Sequence, residues 1–406
     1  MNKKKLFLWC LYDFANSFVF INFLLYFSQW LVIDGGLSDF WYNAVFAIAT
    51  LLLIGSAPIL AAYTDKHGGR KFLLNISTLG TFTFYSLAGL SAYIFPEQIF
   101  LITFFFLAGQ YFYQLAFVFY NPMIDEVADS EHRTRASGIG QFSNSIGQML
   151  GLVATLPFAA TRLGPLFPAI LIFIVLALPM MIFFKEARPR EKGVAITTIK
   201  SETKIFTKKM FAFFSMSVVT PMLLSYFFFN DALITLSNNY PIYMERVLGV
   251  LDSTKSFLLM GILGMSAIGG IVAGWVGDKI GTLRTMKFIL VGWIILIPIL
   301  GLVSSIPALT IVTLFIGTLI GSIWTVTRAY LASILPKEQM AYGFSFYTLA
   351  ERFATFLGPL TWGGIVYLLG ATPSAYRVAV ISMTPFVIIG LIIISVWKRK
   401  KETLVS

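Results

Sequence analysis

The sequence predicts an all-α membrane protein with twelve transmembrane helices in two pseudo-symmetric six-helix bundles. Three observations predict this fold: a very apolar composition, apolar segments of membrane-spanning length along the whole chain, and a turn motif present in both halves. Hydrophobic residues make up 57% of the 406 residues and charged residues only 12%, and there are 40 Phe. Because soluble domains carry about 25% charged residues, this chain cannot cover itself with polar surface.

Apolar segments long enough to cross a hydrocarbon core of about 30 Å recur from end to end. We expect helices near 6–31, 41–63, 72–95, 98–122, 137–160, 165–184, 219–243, 256–277, 286–304, 308–333, 341–369 and 375–397. The first apolar run follows three lysines, as in a signal peptide. It lacks a small-residue cleavage site and exceeds the usual length of about 7–15 apolar residues, so it is interpreted as the first membrane helix.

The formal charge of +11 is interpreted as a topology signal. With a cytoplasmic N-terminus, 24 of the 30 Lys and Arg residues fall in cytoplasmic segments. The exceptions are Arg162, Arg246, Lys255 and Arg377 on the opposite side, and Arg328 and Arg352 within helices. This positive-inside pattern predicts that both termini are cytoplasmic, at the inner membrane if the source is bacterial. It predicts contact with the lipid bilayer and acidic headgroups, and no nucleic-acid partner.

The longest polar stretch divides the chain into two halves of six helices. It predicts an N-terminal bundle over residues 1–184, a basic cytoplasmic linker over 185–209 and a C-terminal bundle over 210–406. The linker carries eight basic residues. A solvated loop explains them most simply, and a regulatory or lipid-binding role is the alternative.

A motif after the second predicted helix recurs after the eighth. The first copy contains Asp65, Lys66, Gly68 and Arg70; the second contains Asp278, Lys279, Gly281 and Arg284. The first three pairs each lie 213 residues apart, as expected for a parallel repeat in which two similar bundles move about a central site.

This motif resembles G-x-x-x-D-[RK]-x-G-x-[RK]-[RK], the signature loop of the major facilitator superfamily. The first copy differs in having Ala61 for Gly and an additional Gly69. The resemblance implies the major facilitator fold and conformational gating by these loops. Asp65 can cap the neighbouring helix, and Gly68 permits a tight turn. The alternative is a polar turn that only ends two helices.

A narrower resemblance is to the autophagy-related vacuolar amino-acid effluxers of fungi and their bacterial relatives. It rests on LYDFANS at 11–17, FND at 229–231, IWTVTR at 323–328 with LPKE at 335–338, and FSFY at 344–347 with FLGP at 356–359. The chain has AER at 350–352, where that family often has Ser-Gly-Lys. The resemblance implies an amino acid or a similar small zwitterion as substrate.

Five charged residues fall inside predicted helices: Asp13, Asp231, Arg328, Glu351 and Arg352. A charge at the centre of a spanning helix costs about 2.5–3.5 kcal/mol on insertion scales. Such residues therefore usually face a cavity or a partner.

Asp13 and Asn16 share one face of the first helix because they are three residues apart. Asn230 follows Asn16 by 214 residues, close to the repeat offset, and Asp231 is next in sequence. Asp13 and Asp231 are predicted to contact a substrate amine or to carry a coupling proton. The alternative is a structural role, with either carboxylate satisfying backbone groups or pairing with an Arg.

Arg328 and Glu351 lie at similar depths in neighbouring helices, so an ion pair between them is one interpretation. Arg352 would then be free to bind a carboxylate or phosphate through its bidentate fork. In the fourth helix Gln110, Gln114 and Asn121 share a face that suggests cavity lining. In the fifth, the polar residues are Gln141, Asn144, Ser145 and Gln148, where hydrogen bonding between helices is the competing explanation.

The sequence lacks several motifs that would indicate an enzyme or ATP-driven transport. The sequence has no ATP-binding P-loop, no His-Glu-x-x-His motif and no nucleophile elbow. Cys10 is the only cysteine, and both histidines, His67 and His132, fall in predicted short loops. We therefore predict no cofactor, no metal and no enzymatic activity, with transport driven by an ion gradient or by the gradient of the substrate.

The sequence thus predicts a monomeric secondary transporter that moves a small polar solute, most simply an amino acid, by alternating access with a coupling proton or cation. The candidate substrate-binding or coupling residues are Asp13, Asn16, Gln114, Asn230, Asp231, Arg328, Glu351 and Arg352. Two alternatives remain: efflux of drugs or lipophilic metabolites, and a receptor or scaffold that has lost transport.

Overall fold

The computed structural model describes residues 2–129, 132–187, 208, 211–212, 219–335, 347 and 350–396. Of the linker predicted over 185–209, only 185–187 and 208 fall within these ranges. The helices in chain order are α1 (Lys3–Asn22), α2 (Asp39–His67), α3 (Arg70–Ile94), α4 (Ile99–Tyr120), α5 (Arg133–Thr155), α6 (Leu166–Phe183), α7 (Thr220–Leu248), α8 (Asp252–Ile280), α9 (Thr282–Leu302), α10 (Ile306–Ile334), α11 (Leu357–Leu368) and α12 (Pro373–Ile381 with Thr384–Val396). The predicted twelve-helix, all-α fold is confirmed.

Two helices extend beyond their regular α-helical part. α1 continues to Asp34 through two π-helical turns, Phe23–Phe27 and Trp30–Asp34. α4 is followed by a 3₁₀ turn and a short helical turn, Ile124–Val127. Because π-helical turns inside helices are rare and frequent at functional sites, this half of α1 differs from an ordinary spanning helix.

Nine of the helices within the described ranges are long and apolar enough to cross a membrane. The other three are α5, α7 and α11. α5 carries amide side chains, α7 carries amide and carboxylate side chains, and α11 is described over only 12 residues. The three helices that are too short or too polar to be recognised as membrane spans are therefore the interrupted one and the two rich in polar residues. Polar residues are expected where a helix faces protein rather than lipid.

The predicted eleventh helix, 341–369, is not continuous. Residues 350–353 are helical, residues 354–356 form bends, and α11 then begins at Leu357. Pro359 explains the interruption, since proline lacks the N–H that would bond to Thr355 and its ring clashes with that carbonyl. Residues 341–346 and 348–349 lie outside the described ranges.

The bundle has two sides, distinguished by the helix ends that meet there. On the terminal side, Lys5 near the start of α1 forms an ion pair of 3.1 Å with Glu126, just after α4. It also lies over the ring of Phe184 at the end of α6. On the distal side, the α5–α6 loop meets the ends of α1 and α7 and the start of α8. This alternation of ends is what antiparallel spanning helices produce.

Candidate functional site

Asp13 joins α1 to α5. It is buried, and its Oδ1 accepts a hydrogen bond of 3.0 Å from Nδ2 of Asn144. Gln148 donates in turn to Oδ1 of Asn144 at 2.7 Å, which orients that amide. Asn16, on the same face of α1, donates to the carbonyl of Tyr12 in its own helix at 2.9 Å. Of the two, only Asp13 therefore bonds to a side chain of another helix.

Glycines bring α1 and α5 close enough for this contact. A Cβ on Gly147 would lie 2.6 Å from the carbonyl oxygen of Phe14, and one on Gly151 would lie 3.1 Å from that of Phe18. The Ser143 hydroxyl donates to the carbonyl of Cys10 at 2.8 Å. The polar face of α5 thus serves interhelical bonding, one of the two interpretations of its sequence.

Two arginines of the C-terminal half lie near Asp13. Arg328 of α10 donates from Nη1 to Oε1 of Gln141 in α5, a contact of 3.3 Å between the two halves. The Arg352 guanidinium lies 4.5 Å from the centre of the Phe117 ring in α4, within cation–π range. Both arginines are within electrostatic range of Asp13.

The interpretation of Arg328 and Glu351 as an ion pair does not hold. Among the described residues no ion pair joins these two, and the arginine bonds to Gln141 instead. Glu351 lies within electrostatic range of Tyr226 and Tyr347. Nε of Arg352 is buried and has no hydrogen-bond partner, so this guanidinium retains a free donor.

Aromatic residues of α4 line this region. Tyr113, Phe117 and Tyr120 are buried, and Tyr113 lies within electrostatic range of both Asp13 and Arg352. The sequence interpretation singled out the neighbouring face of Gln110, Gln114 and Asn121, of which the two glutamines are buried and Asn121 is half-buried. The missed signal was the spacing of the aromatics at 113, 117 and 120, which puts them on one helical face.

Asp231 belongs to a different cluster, between α7 and α11. Its Oδ2 accepts a hydrogen bond of 2.7 Å from the backbone N–H of Gly358, in the first turn of α11. The carboxylate is 0% exposed and its Oδ1 has no partner. Neighbouring Asn230 is buried, and neither polar atom of its amide has a partner. The candidate residues thus divide into an Asp13–Arg352 group and an Asp231–Asn230 group.

The two repeated loops share their backbone geometry. Gly68 has φ +68° and Gly281 has φ +92°, and each N–H bonds to the carbonyl four residues earlier, in Thr64 and Gly277. A positive φ favours glycine, so the repeat reflects a shared turn. Lys279 lies over the Trp275 ring at 3.6 Å. Asp65 lies in the last turns of α2, and its side chain is outside what the structure describes.

Glu186, which the sequence interpretation did not single out, lies at the N-terminus of α3. Its carboxylate accepts hydrogen bonds from the backbone N–H groups of Arg70 at 2.6 Å and Lys71 at 3.3 Å. Burial raises the pKa of Glu186, and these two amide bonds oppose the rise. A carboxylate at a helix N-terminus satisfies free N–H groups and the helix dipole. Nothing in local sequence links Glu186 to a helix more than a hundred residues earlier.

The distal side is closed by a charged network between the halves. Arg162, in the α5–α6 loop, pairs with Asp34 at 2.9 Å and Asp252 at 3.0 Å, and also with Glu245. Lys255, which is 0% exposed, pairs with Glu245 at 2.5 Å and Asp252 at 2.8 Å. Burial alone would lower the pKa of Arg162, but the carboxylates of Glu245 and Asp252 outweigh it and raise the pKa. The guanidinium therefore stays charged.

Polar bonds next to this network also cross between the halves. Asn43 of α2 and Asn239 of α7 exchange amide hydrogen bonds of 2.8 and 3.0 Å. The Tyr42 hydroxyl donates to the carbonyl of Asn238 at 2.9 Å, and Lys255 donates to Gln29 of α1. The halves are thus joined at the distal side by buried hydrogen bonds and ion pairs.

Comparison with known proteins decides the family. Residues 6–266 and 222–405 match the Major Facilitator Superfamily. The chain belongs to the major facilitator superfamily. It is a multi-pass membrane transporter, and neither this superfamily nor its structural neighbours described below are enzymes. Among the described residues, no group of three or more His, Cys, Asp or Glu is placed to hold a metal ion.

Individual relatives in the superfamily are distant. An uncharacterized protein of Aquifex aeolicus (strain VF5) is 26% identical, covering 87% of this chain and 86% of its own. The uncharacterized MFS-type transporter YxiO of Bacillus subtilis (strain 168) is 24% identical over 98% and 96%. A multi-drug resistance efflux pump PmrA homolog of Lactococcus lactis subsp. lactis (strain IL1403) is 23% identical over 94% and 91%.

Solved structures of the superfamily confirm the fold. The nucleoside transporter NupG superposes with a TM-score of 0.73 at 12% identity, covering 99% of this chain and 100% of its own. A bacterial homolog of the human lysosomal transporter Spinster, inward-facing and unoccupied, gives 0.70 at 13% identity over 97% of each chain. The predicted superfamily is thus confirmed, while the narrower effluxer branch remains a prediction.

Proposed function

We propose that this protein is a secondary active transporter that moves an amino acid or a similar small zwitterion by alternating access, coupled to a proton at Asp13. The observation that carries the proposal is the juxtaposition of a buried carboxylate with two arginines from the opposite half. A zwitterion needs both signs of charge in its site. Arg352 would bind the substrate carboxylate, since its Nε has no other partner, and Arg328 would hold α5 through Gln141.

Asp13 suits proton coupling because its partner is a neutral amide. A carboxylate held by Asn144 is not locked in the charged state by a direct ion pair. Its charge is supported by Arg328 and Arg352 at longer range. Movement of the C-terminal half would carry both arginines away from Asp13, and a buried carboxylate without them favours protonation. Proton uptake and conformational change are thereby linked.

The orientation follows from the charge distribution. We infer that the terminal side is cytoplasmic, so that the closed distal side faces outward. Reporter fusions after Lys209 and after Lys401 are expected to report a cytoplasmic location. An external location for either fusion would contradict this topology.

Uptake into proteoliposomes tests the substrate. Labelled amino acids are expected to accumulate under an imposed proton gradient, and Arg352→Gln is expected to raise KM about tenfold to a hundredfold, the effect of losing hydrogen bonds to a charged group. Arg352→Lys keeps the charge but loses the planar fork, and its KM should lie between those of wild type and Arg352→Gln. Unchanged KM in Arg352→Gln would refute the assigned carboxylate contact.

Efflux of lipophilic compounds is the second candidate. The similarity to a relative named as a multi-drug resistance efflux pump homolog supports it, as do the buried aromatics Tyr113, Phe117 and Tyr120 beside Arg352. The same vesicles should then transport a lipophilic dye and no amino acid. Absence of flux for both classes would favour a receptor or scaffold.

A further inference from the structure

The distal part of α1 contains two π-helical turns, Phe23–Phe27 and Trp30–Asp34. Such turns are rare, because their hydrogen bonds reach one residue further along the chain than those of an α-helix and widen the helix. Distortions of this size usually have an identifiable cause, such as a proline or a glycine. Residues 23–34 contain neither, so no local helix breaker explains the two turns.

The regular part of α1, Lys3–Asn22, bonds to helices of its own half. The Tyr12 hydroxyl lies 2.7 Å from Oγ1 of Thr78 in α3. Nδ2 of Asn22 donates to the carbonyl of Gly151 in α5 at 3.2 Å. The α-helical part of α1 is thus fixed within the N-terminal bundle.

The π-helical part of α1 bonds to the C-terminal half instead. In the first turn, the Tyr26 hydroxyl lies 3.2 Å from Oγ of Ser256 in α8, and both residues are buried. In the second turn, Nη2 of Arg246 in α7 donates to the carbonyl of Val32 at 3.5 Å. The distortion of α1 therefore coincides with the part of the helix that contacts the opposite half.

Gln29, between the two π-helical turns, joins this contact to the backbone of α1. Its Oε1 accepts a hydrogen bond from Nζ of Lys255 in α8, and its Nε2 donates to the carbonyl of Leu25 at 2.5 Å. The amide is buried, and Lys255 fixes which of its ends turns back to α1. A side-chain donor at a main-chain carbonyl competes with the backbone N–H groups for it and distorts the helix. Lys255 thus orients the donor that supports the π-helical geometry.

Lys255 also belongs to the network that closes the distal side, through its ion pairs with Glu245 and Asp252. Opening of the distal side separates α8 from α1 and takes Lys255 away from Gln29. The Gln29 amide is then no longer oriented, and the α-helical form, which is far more common than the π-helical form, becomes available to this segment. Closure of the distal side and the helical form of α1 are therefore linked.

We propose that residues 23–34 of α1 change from π-helical to α-helical when the distal side opens, and that the contact between Gln29 and Lys255 maintains the π-helical form while that side is closed. This change of helical form rests on alternating access in the proposed function, and on neither its substrate nor its coupling proton. Because an α-helix has fewer residues per turn, the change would rotate the distal end of α1 relative to Asp13.

A distance within α1 tests this change, because movement of whole helices as rigid bodies leaves it constant. Spin labels are attached at Phe7→Cys and Ile33→Cys in the full-length protein carrying Cys10→Ala, and pulsed electron paramagnetic resonance measures their separation. Each π-helical turn holds one residue more than an α-helical turn, so loss of both turns should lengthen the separation by about 2–3 Å, at a rise of about 1.5 Å per residue. We expect the longer distance in Gln29→Leu and in Lys255→Met.

Two controls separate a change of helical form from general damage. Asn22→Leu removes another buried amide of α1, one that bonds to Gly151 in the same half, and should leave the α1 distance unchanged. A second label pair at the exposed positions Phe257→Cys and Trp275→Cys lies within α8. Its separation should be the same in every variant.

An unchanged α1 distance in Gln29→Leu would overturn the proposal, and this variant decides alone if Lys255→Met does not fold. Equal lengthening in Asn22→Leu would also overturn it, because loss of any buried amide would then release the helix. If Arg162→Gln opens the distal side to thiol labelling while α1 keeps its shorter distance, α1 moves as a rigid rod. That result would leave alternating access intact, and amino-acid uptake in proteoliposomes tests the transported solute separately.

Discussion

The α1–α5 and α7–α11 helix pairs occupy related places in the two halves, but the buried carboxylate of each pair accepts its hydrogen bond from a different kind of donor. Asp13 bonds to a side-chain amide, that of Asn144, on a continuous helix. Asp231 bonds to a backbone N–H, that of Gly358, where its partner helix is interrupted. Adding the repeat offset of 213 to Asn144 gives position 357, so the two donors lie at nearly equivalent positions.

The difference between these donors bears on what each carboxylate can do. A side-chain amide can rotate, and Asn144 is itself held only by Gln148. A backbone N–H moves only when the helix moves, so the Asp231 contact changes only with the position of α11. We therefore expect Asp13 to change partner or protonation during the cycle and Asp231 to hold α11 in place.

Neutralising each carboxylate in turn gives the largest expected difference between the pairs. Asp13→Asn should reduce gradient-driven accumulation to passive equilibrium while exchange of labelled for unlabelled substrate persists, because exchange requires no net proton movement. Asp231→Asn should reduce both activities together, because it alters the α7–α11 contact. Uptake and exchange are measured side by side in proteoliposomes and normalised to folded protein.

Glu97→Gln is the matched control for these variants, since Glu97 is an exposed carboxylate in the α3–α4 loop. It should leave both activities unchanged. Equal loss of accumulation and exchange in Asp13→Asn would mean that Asp13 is structural, and the proposed contrast between the two pairs would be wrong.

Part of the contrast between the α1–α5 and α7–α11 helix pairs can be predicted from the sequence. The polar residues Asp13, Asn144 and Asp231 stand out in apolar segments, and the helix order and the repeated turn follow from hydropathy and glycine spacing. The interruption of the eleventh helix was not predicted, although Pro359 is its local cause. Hydropathy continues across 354–356 and therefore carries no sign of a break.

The ion pairs of the distal network could not be predicted from the sequence. Arg162 and Lys255 stand out in the sequence as exceptions to the positive-inside pattern, but nothing in the sequence explains them. The carboxylate partners of Arg162 are separated from it by 83 to 128 residues along the chain, so that pairing depends on how the two halves meet and no local pattern contains it. The same holds for Glu186 at the N-terminus of α3. Lys255, by contrast, pairs with Asp252 three residues earlier in α8.

Glycine substitutions provide a second, smaller test of the two helix pairs. Gly147→Ala and Gly358→Ala each introduce a Cβ within 3.0 Å of backbone atoms of the facing helix. Overpacking of this kind costs about 1–3 kcal/mol, so both variants should unfold at lower temperature than wild type. Gly364→Ala is the control in α11, because nothing lies within 4 Å of its Cβ, and it should be tolerated. A neutral Gly358→Ala would contradict the close crossing of α7 and α11.

The smallest expected effect concerns the distal network, which acts on both helix pairs by holding the halves together. Arg162→Gln leaves Asp34, Glu245 and Asp252 without their shared guanidinium, and among the described residues Lys255 is the cation that still pairs with Glu245 and Asp252. Partly exposed ion pairs contribute little individually, and a network contributes more. If the loss reaches one or two kcal/mol, the equilibrium between closed and open distal sides shifts by a factor of about 5–30.

Cysteine accessibility measures that shift directly. Cys10 is the only native cysteine and is buried, so Cys10→Ala gives a background without thiols. Ser28→Cys then places a reporter at a buried position in the distal half of α1, where the native hydroxyl donates to the carbonyl of Leu24. A membrane-impermeant maleimide should label this reporter several-fold faster when Arg162→Gln is added.

Salt and a matched arginine test whether the network causes the change. Added salt screens partly exposed charges, so it should speed labelling in the presence of Arg162 and have less effect in Arg162→Gln. Arg377 also lies on the distal side, but its Nη1 donates to the carbonyl of Gly301 within the same half. Arg377→Gln should therefore leave the labelling rate unchanged. Equal acceleration by both substitutions would show that loss of any distal cation opens this side, and that the ion pairs between the halves have no special role.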